Sequence, residues 1–307
     1  MPRFPLPRSS LAPSCALLTL TALAGCAETP KPSPRPVQTP VAQYRTGPGP
    51  VGADDHVPDF ASRNFVPFNR QDVPAIAMRE WRMFGSPVDD DDPEARPDAA
   101  IPALKPERIP GLWQRIGEYW WIGQDPYETE VNWTGKTDAD GTPFAPENDG
   151  RYAWSAAFIS YVMRVAGAND RFPYSPNHST YINAAVSGQS PGLRAHDPAT
   201  YIPKLGDLLC VGRGRSKTVT FAMLPTSYGF PAHCGFVVAV NQNAPPFGHE
   251  LSIIGGNVDD AVTLTHVPTS PTGALIGDDG KIIDNRYPWA VILEVLYDAD
   301  FEPGAGQ

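Results

Sequence analysis

The 307-residue chain contains no His-Glu-x-x-His, no Cys-x-x-Cys and no Walker loop, and Gly212-Arg213-Gly214 is only a fragment of a glycine fingerprint. Zinc-protease chemistry, dithiol redox chemistry and P-loop nucleotide binding therefore have no carrier here, and neither a metal nor a cofactor is called for. Positive charge is also short, with 24 Lys and Arg against 34 Asp and Glu and a formal net charge of −10. That balance excludes nucleic acid as a partner, since such binding needs a basic patch or stripe. No apolar run reaches the about 20 residues of a membrane-spanning helix, and no internal repeat is visible. Cysteine is scarce, with four residues in all. A chain of this length builds its core without a disulfide scaffold. The acidic run Asp89-Asp90-Asp91-Asp92 lacks the glycine and spaced ligands of an EF-hand and is expected to be a solvated loop.

What is present begins with an export pattern. Arg3 and Arg8 form a basic start, an apolar stretch runs from Cys15 to Ala24, and small residues follow. The stretch is too short to span a bilayer, so it addresses the chain without anchoring it. Leu23-Ala24-Gly25-Cys26 resembles the bacterial lipobox, which implies cleavage before Cys26 and acylation of that residue. Residues 1–25 are then a signal peptide, and the mature chain carries −12 once Arg3 and Arg8 are lost with it. Several acyl chains on one residue hold a membrane far more firmly than a single myristoyl group. The expected location is the periplasmic side of a membrane, with the lipid bilayer a partner through Cys26. Ala27, where an Asp would retain the protein in the inner membrane, favours the outer one.

Of the 36 prolines, 20 precede residue 111, and they crowd between Pro30 and Pro58. Proline lacks a backbone donor and has a fixed φ, so residues 26–69 read as an extended tether. One domain is expected over 70–307. Helical spacing of apolar residues predicts helices over Gln71 to Phe84, Pro106 to Ile122 and Trp154 to Ala166. Short β-branched runs follow at Asp207 to Val211, Gly235 to Val240, Leu251 to Ile254, Ala261 to Val267 and Ala290 to Leu296. Helices first and strands afterwards, with no room for crossover helices, predict an α+β fold with an antiparallel sheet.

Three polar residues stand at the edges of these elements. Ser155 opens the third helix, His233 opens a strand, and Asn257 ends the Gly255-Gly256-Asn257 segment. A nucleophile at a helix N-terminus gains from the helix dipole and from free N–H groups that can hold an oxyanion. It needs an imidazole as base, and the imidazole needs a third group to fix its tautomer. Ser155, His233 and Asn257 suit these roles in that order. The structural alternatives are a helix cap for Ser155, a packed histidine for His233 and a turn residue for Asn257.

The segments Trp154-Ser155-Ala156-Ala157-Phe158, Gly206-Asp207-Leu208, His233-Cys234-Gly235 and Gly255-Gly256-Asn257 resemble the papain-like cell-wall hydrolases of the CHAP and NlpC type. Within that likeness the chain is identified as a member of the bacterial family called domain of unknown function 2272. The resemblance spans about residues 70 to 297 and implies a papain-like fold with N-terminal helices packed on a small antiparallel sheet. It also implies cleavage of amide bonds in peptidoglycan stem peptides. The enzymes carry Cys where this chain has Ser155. Two readings stay open: an anchored hydrolase with a Ser155-His233-Asn257 site, and a silent module that keeps the cleft to bind cell-wall peptides or a protein. Trp154 and His178 are expected to line the cleft, with His178 in the loop after the nucleophile helix. Asp207 is expected to shape the Gly206 turn, and His196 and His266 to be surface or packing residues. Cys234 must face away from whatever His233 faces, because successive strand residues alternate. Cys210 and Cys234, on strands expected to be neighbours in an oxidising compartment, are read as a disulfide or a buried thiol pair.

Replacing the lipidated residue tests the export reading: Cys26→Ser is expected to leave the precursor uncut or to release the protein from membranes. Normal processing and unchanged membrane attachment, measured by fractionation and by mass of the mature chain, would defeat it.

Overall fold

The computed structural model describes residues 67–93, 104–145 and 151–301, all of which fall within one compact unit. The leader, Cys26 and the tether up to residue 66 lie outside the described residues. The domain begins slightly earlier than the sequence suggests. Phe68 is buried against Tyr297, its N–H donates to Asp298 at 2.7 Å, and its carbonyl accepts from the Asp298 N–H at 3.0 Å.

The fold is α+β, built on a six-stranded antiparallel sheet. The strands are β1 (Leu193–His196), β2 (Leu208–Gly212), β3 (Ala232–Ala244), β4 (Gly248–Val258), β5 (Ala261–Pro268) and β6 (Trp289–Val295), in the order β1-β6-β2-β3-β4-β5. Helices α1 (Asp72–Met83), α3 (Ser155–Val165) and α4 (His178–Val186) pack on it, α2 (Leu112–Gly123) packs on α3, and a single turn, α5 (Asp298–Phe301), closes the described chain. The predicted long helix from Pro106 is broken in two. A 3₁₀ turn covers Pro106–Arg108, and the helix restarts only after Pro110 and Gly111, the latter at φ +93°. Proline at 110 cannot donate into a continuing helix, and the left-handed glycine redirects the chain.

Both faces of the sheet are covered, which is why its strands read as near-continuous apolar runs. Leu208, Cys210, Cys234, Phe236, Ile254, Val291, Leu293 and Val295 face the helices. Leu209, Val211, Val237, Leu251, Ile253 and Ile292 face a second, smaller core closed by Leu275 and Tyr287. Cys210 and Cys234 stand directly opposite each other in the β2–β3 ladder, 4.2 Å apart at Cα, and form a disulfide.

Only the second half of the acidic run, Asp91 and Asp92, is the exposed loop that its charge suggests, while Asp89 and Asp90 are tied to the sheet. Val88 bridges Leu264 beside β5, the Asp89 N–H donates to the Leu264 carbonyl at 2.9 Å, and Asp90 binds the backbone and ring of His266 at 2.8 and 2.9 Å. The Arg286 guanidinium donates to the Asp90 carbonyl at 2.7 Å. The run thereby covers the outer edge of β5, which would otherwise present unpaired backbone groups. His196 likewise has a partner, Glu294 at 2.9 Å, and stacks on Tyr201. At the Gly206 turn, Asp207 accepts from the Lys204 N–H at 2.9 Å and from Tyr201 at 3.1 Å, and so shapes the turn.

Three helices are clamped by one carboxylate. Glu80 of α1, fully buried, accepts from Arg115 of α2 at 2.6 and 2.7 Å, from Tyr119 at 2.9 Å and from Tyr161 of α3 at 3.3 Å. Burial alone raises its pKa, but the hydrogen bonds and charge of Arg115, with Arg79 and Tyr119, outweigh that and hold it below the ordinary value. Glu80→Gln would remove the buried anion of this network and leave Arg115 with only the half-exposed Glu118 as its counter-charge, so a loss of about 3 to 5 kcal/mol in urea unfolding is expected. A depressed carboxyl pKa contributes stability above the unfolded value of 4.5 that disappears as pH falls through the native value. The gap between wild type and Glu80→Gln should therefore close in acid; a gap under about 1 kcal/mol at neutral pH, the range of exposed pairs, would refute the clamp.

Candidate functional site

Helix α3 is buried along ten of its eleven residues, Ser155 to Arg164, and packs against β3, β4 and the helices α1 and α2. A helix enclosed on all sides must satisfy its polar side chains within the protein. Ser155 is its first residue, after Trp154 at the N-cap, and its hydroxyl makes no capping bond. Phe158 is the first residue whose N–H reaches a helical carbonyl, that of Trp154 at 3.0 Å. The N–H groups before it have no carbonyl one turn back, and the positive end of the helix lies at Ser155.

The Ser155 hydroxyl instead meets an imidazole: Oγ lies 2.6 Å from Nε2 of His178. His178 is not in a loop, as its sequence neighbourhood suggests, but opens α4. Its position follows from α3. Ser160, one and a half turns after Ser155, bonds both the N–H and the carbonyl of Ser175 at 3.3 Å. Arg164 lies over the Tyr174 ring, 3.7 Å from its centre. Ser175 then receives the Asn177 N–H at 3.1 Å and donates to Thr180 at 3.0 Å, which sets the first turn of α4. The loop is thus tied to α3 three residues before His178.

The other ring nitrogen, Nδ1, bonds the Tyr181 hydroxyl, one helical turn further on. Burial, with the positive charge of Arg213 adding, drives the His178 pKa down to about 3, so the ring is neutral at physiological pH. With its proton on Nδ1, the ring donates to Tyr181 and accepts the Ser155 proton at Nε2. The opposite tautomer reverses both bonds. Tyr181 is itself held neutral, its pKa pushed well up by burial. Ser155, His178 and Tyr181 therefore form an uncharged chain of hydroxyl, imidazole and phenol.

The sequence-based base, His233, is the second residue of β3, opposite Val211. Its ring centre lies 5.4 Å from that of His178, so the two imidazoles are neighbours and His178 is the one bonded to Ser155. The two glycines before Asn257 have a defined task. A Cβ on Gly255 would lie 2.7 Å from His233 Nε2, and one on Gly256 would lie 2.5 Å from Phe158 Cβ. A side chain at Gly255 would push into His233, and one at Gly256 would keep the end of β4 from seating on the start of α3. Asn257 itself adopts a left-handed φ of 55° and reaches the same cavity as Ser155 and His178. Trp154, expected to face the ligand, is 1% exposed and stacked on Phe84, too deep to offer a ring face.

That cavity encloses about 850 Å³, within the range of small-molecule and peptide pockets. Its charged lining residues are four acids, Glu107, Glu130, Asp259 and Asp260, and four bases, Lys105, Arg151, Arg213 and Arg215, with Lys105 3.2 Å from Asp260. Sequence reasoning missed Glu107. Burial, then the nearby Asp260, raises its pKa to about 7, while the indole N–H of Trp154 donates to it at 2.9 Å. Nothing in its short 3₁₀ turn marked it; only the folded contact with Trp154 does. Tyr181 was missed too, although its spacing of three from His178 on one helix is a readable signal. Among the described residues no group of His, Cys, Asp and Glu could hold a metal ion, and no helix is long and apolar enough to cross a membrane.

Searches of curated proteins and of solved structures found no match. A family model, by contrast, matches residues 107–295, from Glu107 through β6, a span that contains Ser155, His178, Tyr181, His233 and Asn257. With well over half of its length matched, the chain belongs to the DUF2272 family, described as an uncharacterized protein conserved in bacteria.

Proposed function

We propose that the chain is a serine-type acyl hydrolase of amide bonds in peptidoglycan stem peptides, held by lipid at Cys26 on the periplasmic side of a membrane. The observation that carries the reading is the 2.6 Å contact of Ser155 Oγ with His178 Nε2, at the start of a buried helix on a cavity wall. The papain-like resemblance of the Trp154, Gly206, His233 and Gly255 segments supplies the substrate class, and the topology of a buried helix against an antiparallel sheet is compatible with it. Ser155 Oγ attacks the carbonyl carbon as its proton passes to His178 Nε2, and the developing oxyanion faces the first N–H groups of α3. The C–N bond breaks as His178 returns the proton to the leaving amine. Water then gives a proton to His178 and its oxygen to the acyl carbon, and Ser155 leaves with that proton restored.

One observation favours the alternative, a module that binds without cleaving. Among the described residues the uncharged Tyr181, and no carboxylate, backs His178, and the depressed pKa makes the ring a weak base.

Turnover of stem peptides and of simple acyl esters decides between the two. For the hydrolase, Ser155→Ala and His178→Ala should each lower kcat/KM by roughly a thousandfold or more, because members of a catalytic unit fail together. His233→Ala and Tyr181→Phe should lower it by smaller factors. A larger loss for His233→Ala than for His178→Ala would return the base to the strand. Wild type that binds these peptides without turnover, and gains amidase activity on Ser155→Cys, would establish the silent module.

A further inference from the structure

Ser155 and His178 line the cavity yet are nearly closed off, at 7% and 5% exposed. Part of the wall that encloses them is the connection between β2 and β3. These strands pair to their very ends, with Gly212 opposite Ala232, and a turn of about two to five residues joins such neighbours. Here the chain runs instead through residues 213–231, whose regular structure is two 3₁₀ turns, Gly214–Ser216 and Phe221–Met223. Connections beyond about 12 to 15 residues without helix or strand are uncommon in compact domains and usually serve a function. This one gives Gly229, Phe230 and Pro231 to the cavity wall. A Cβ on Gly229 would lie 3.5 Å from Ser179 Oγ, so the segment crosses the first turn of α4 beside His178.

The connection has a fixed half and a loose half. Ser216 and Val219 are buried in the first. From Thr220 to Pro231 no residue is buried, and Met223 and Tyr228 stand exposed. The buried Val219 holds one end of this second half, and the Arg213 N–H, donating to the Pro231 carbonyl at 2.9 Å, holds the other. Between them the half-buried Phe221, Leu224 and Phe230 rest on the core, and α4 clasps the segment through Asn183. The Asn183 side chain accepts the Thr226 N–H at 3.0 Å and donates to the Thr226 hydroxyl at 3.1 Å and carbonyl at 3.3 Å. The Thr226 hydroxyl donates in turn to the Tyr228 carbonyl at 2.7 Å, which carries the clasp to the residue before Gly229. Exposed backbone with few buried contacts is what opens at low free energy in a folded protein. We propose that Thr220–Pro231 is a lid, latched by Asn183, whose opening admits ligand to Ser155 and His178. Asn183 and His178 share α4, so a closed latch fixes the cavity wall relative to the imidazole. A peptide to be cut and a peptide merely bound both enter this cavity, so the lid serves either reading of Ser155.

A thiol in the cavity reports the opening. In the full chain, Ser155→Cys places a sulfur at a helix N-terminus, which favours the thiolate. Its modification by a bulky reagent, fluorescein maleimide, is followed by mass spectrometry of the peptide that carries it. Adding Asn183→Ala should raise the labelling rate about tenfold, the order expected from losing one or two hydrogen bonds. Thr226→Val keeps the backbone bond to Asn183 and should raise it by a smaller factor; it reads the same latch where Asn183→Ala fails to fold. Hydrogen exchange over residues 220–230 should quicken in step, with β3 and β4 still protected. These readings need no turnover, so a wild type that cleaves nothing would remove the hydrolase and leave the lid standing. A labelling rate unchanged by both latch variants, a rise in labelling without faster exchange over 220–230, or exchange that quickens across the sheet as well would each overturn the lid.

Discussion

A helix buried on every side governs this structure. Ser155 to Arg164 lie within the protein, and four of those residues carry polar groups largely withdrawn from water. An unsatisfied buried polar group costs on the order of 1 to 3 kcal/mol, so each must find a partner in the fold. Each partner recruits a different element. Tyr161 meets the Glu80–Arg115 clamp and ties in α1 and α2. Arg164 meets Asp125 at 2.9 Å and the Tyr174 ring, which fixes the chain after α2 and the approach to α4. Ser160 holds Ser175. Ser155, at the end exposed to the cavity, meets His178. The hydroxyl–imidazole pair is thus the last of a series of contacts, placed by the same demand as the purely structural ones.

That origin explains the electrical character of the pair. A structural solution to a buried hydroxyl needs only a neutral acceptor, and a neutral imidazole backed by a phenol provides it without bringing a charge into the interior. A triad built around a carboxylate would hold a charge-ready imidazole at the cost of burying an anion. Among the described residues no carboxylate backs His178, and the charge that acts on it is the cation of Arg213. Any base function then depends on what enters the cavity. The Ser in the nucleophile position sharpens the point, because a hydroxyl, unlike a thiol of pKa about 8.5, cannot ionise near neutral pH and needs the base at the moment of attack.

How much of this could be read beforehand follows from how local each signal is. The short β-branched runs of β2, β3, β4 and β6 and the helical periodicity of α1 and α3 are local, and they gave the α+β class, the neighbouring strands and the Cys210–Cys234 proximity. The opposite faces of His233 and Cys234 follow from strand geometry alone. The identity of the imidazole bonded to Ser155 is not local. His178 and His233 flank the same point in space, and the choice between them rests on Ser160 holding Ser175, a contact across fifteen residues that no periodicity reports. The same holds for Asp90, whose charge suggested solvent while its partner His266 lay 176 residues away. Glu107 was invisible because its character arises from Trp154 and Asp260, neither near it in sequence.

The two ends of the cavity also carry opposite proton balances. At His178 the native ring refuses a proton that an unfolded histidine accepts below its ordinary 6.5, so folding is opposed increasingly as pH falls from 6.5 towards about 3. At Glu107 the native carboxyl keeps a proton that an unfolded glutamate releases above 4.5, so folding is opposed increasingly as pH rises from 4.5 towards about 7. Between 4.5 and 6.5 the two slopes oppose each other, and the folded chain in effect carries at Glu107 a proton that it denies to His178. Trp154 joins these ends physically. Its indole N–H holds Glu107 at 2.9 Å, and its backbone is the N-cap of the helix that begins at Ser155. The charge state of Glu107 is therefore linked by one buried side chain to the residue that precedes the nucleophile position, while the state of His178 is set by its burial, with the charge of Arg213 adding.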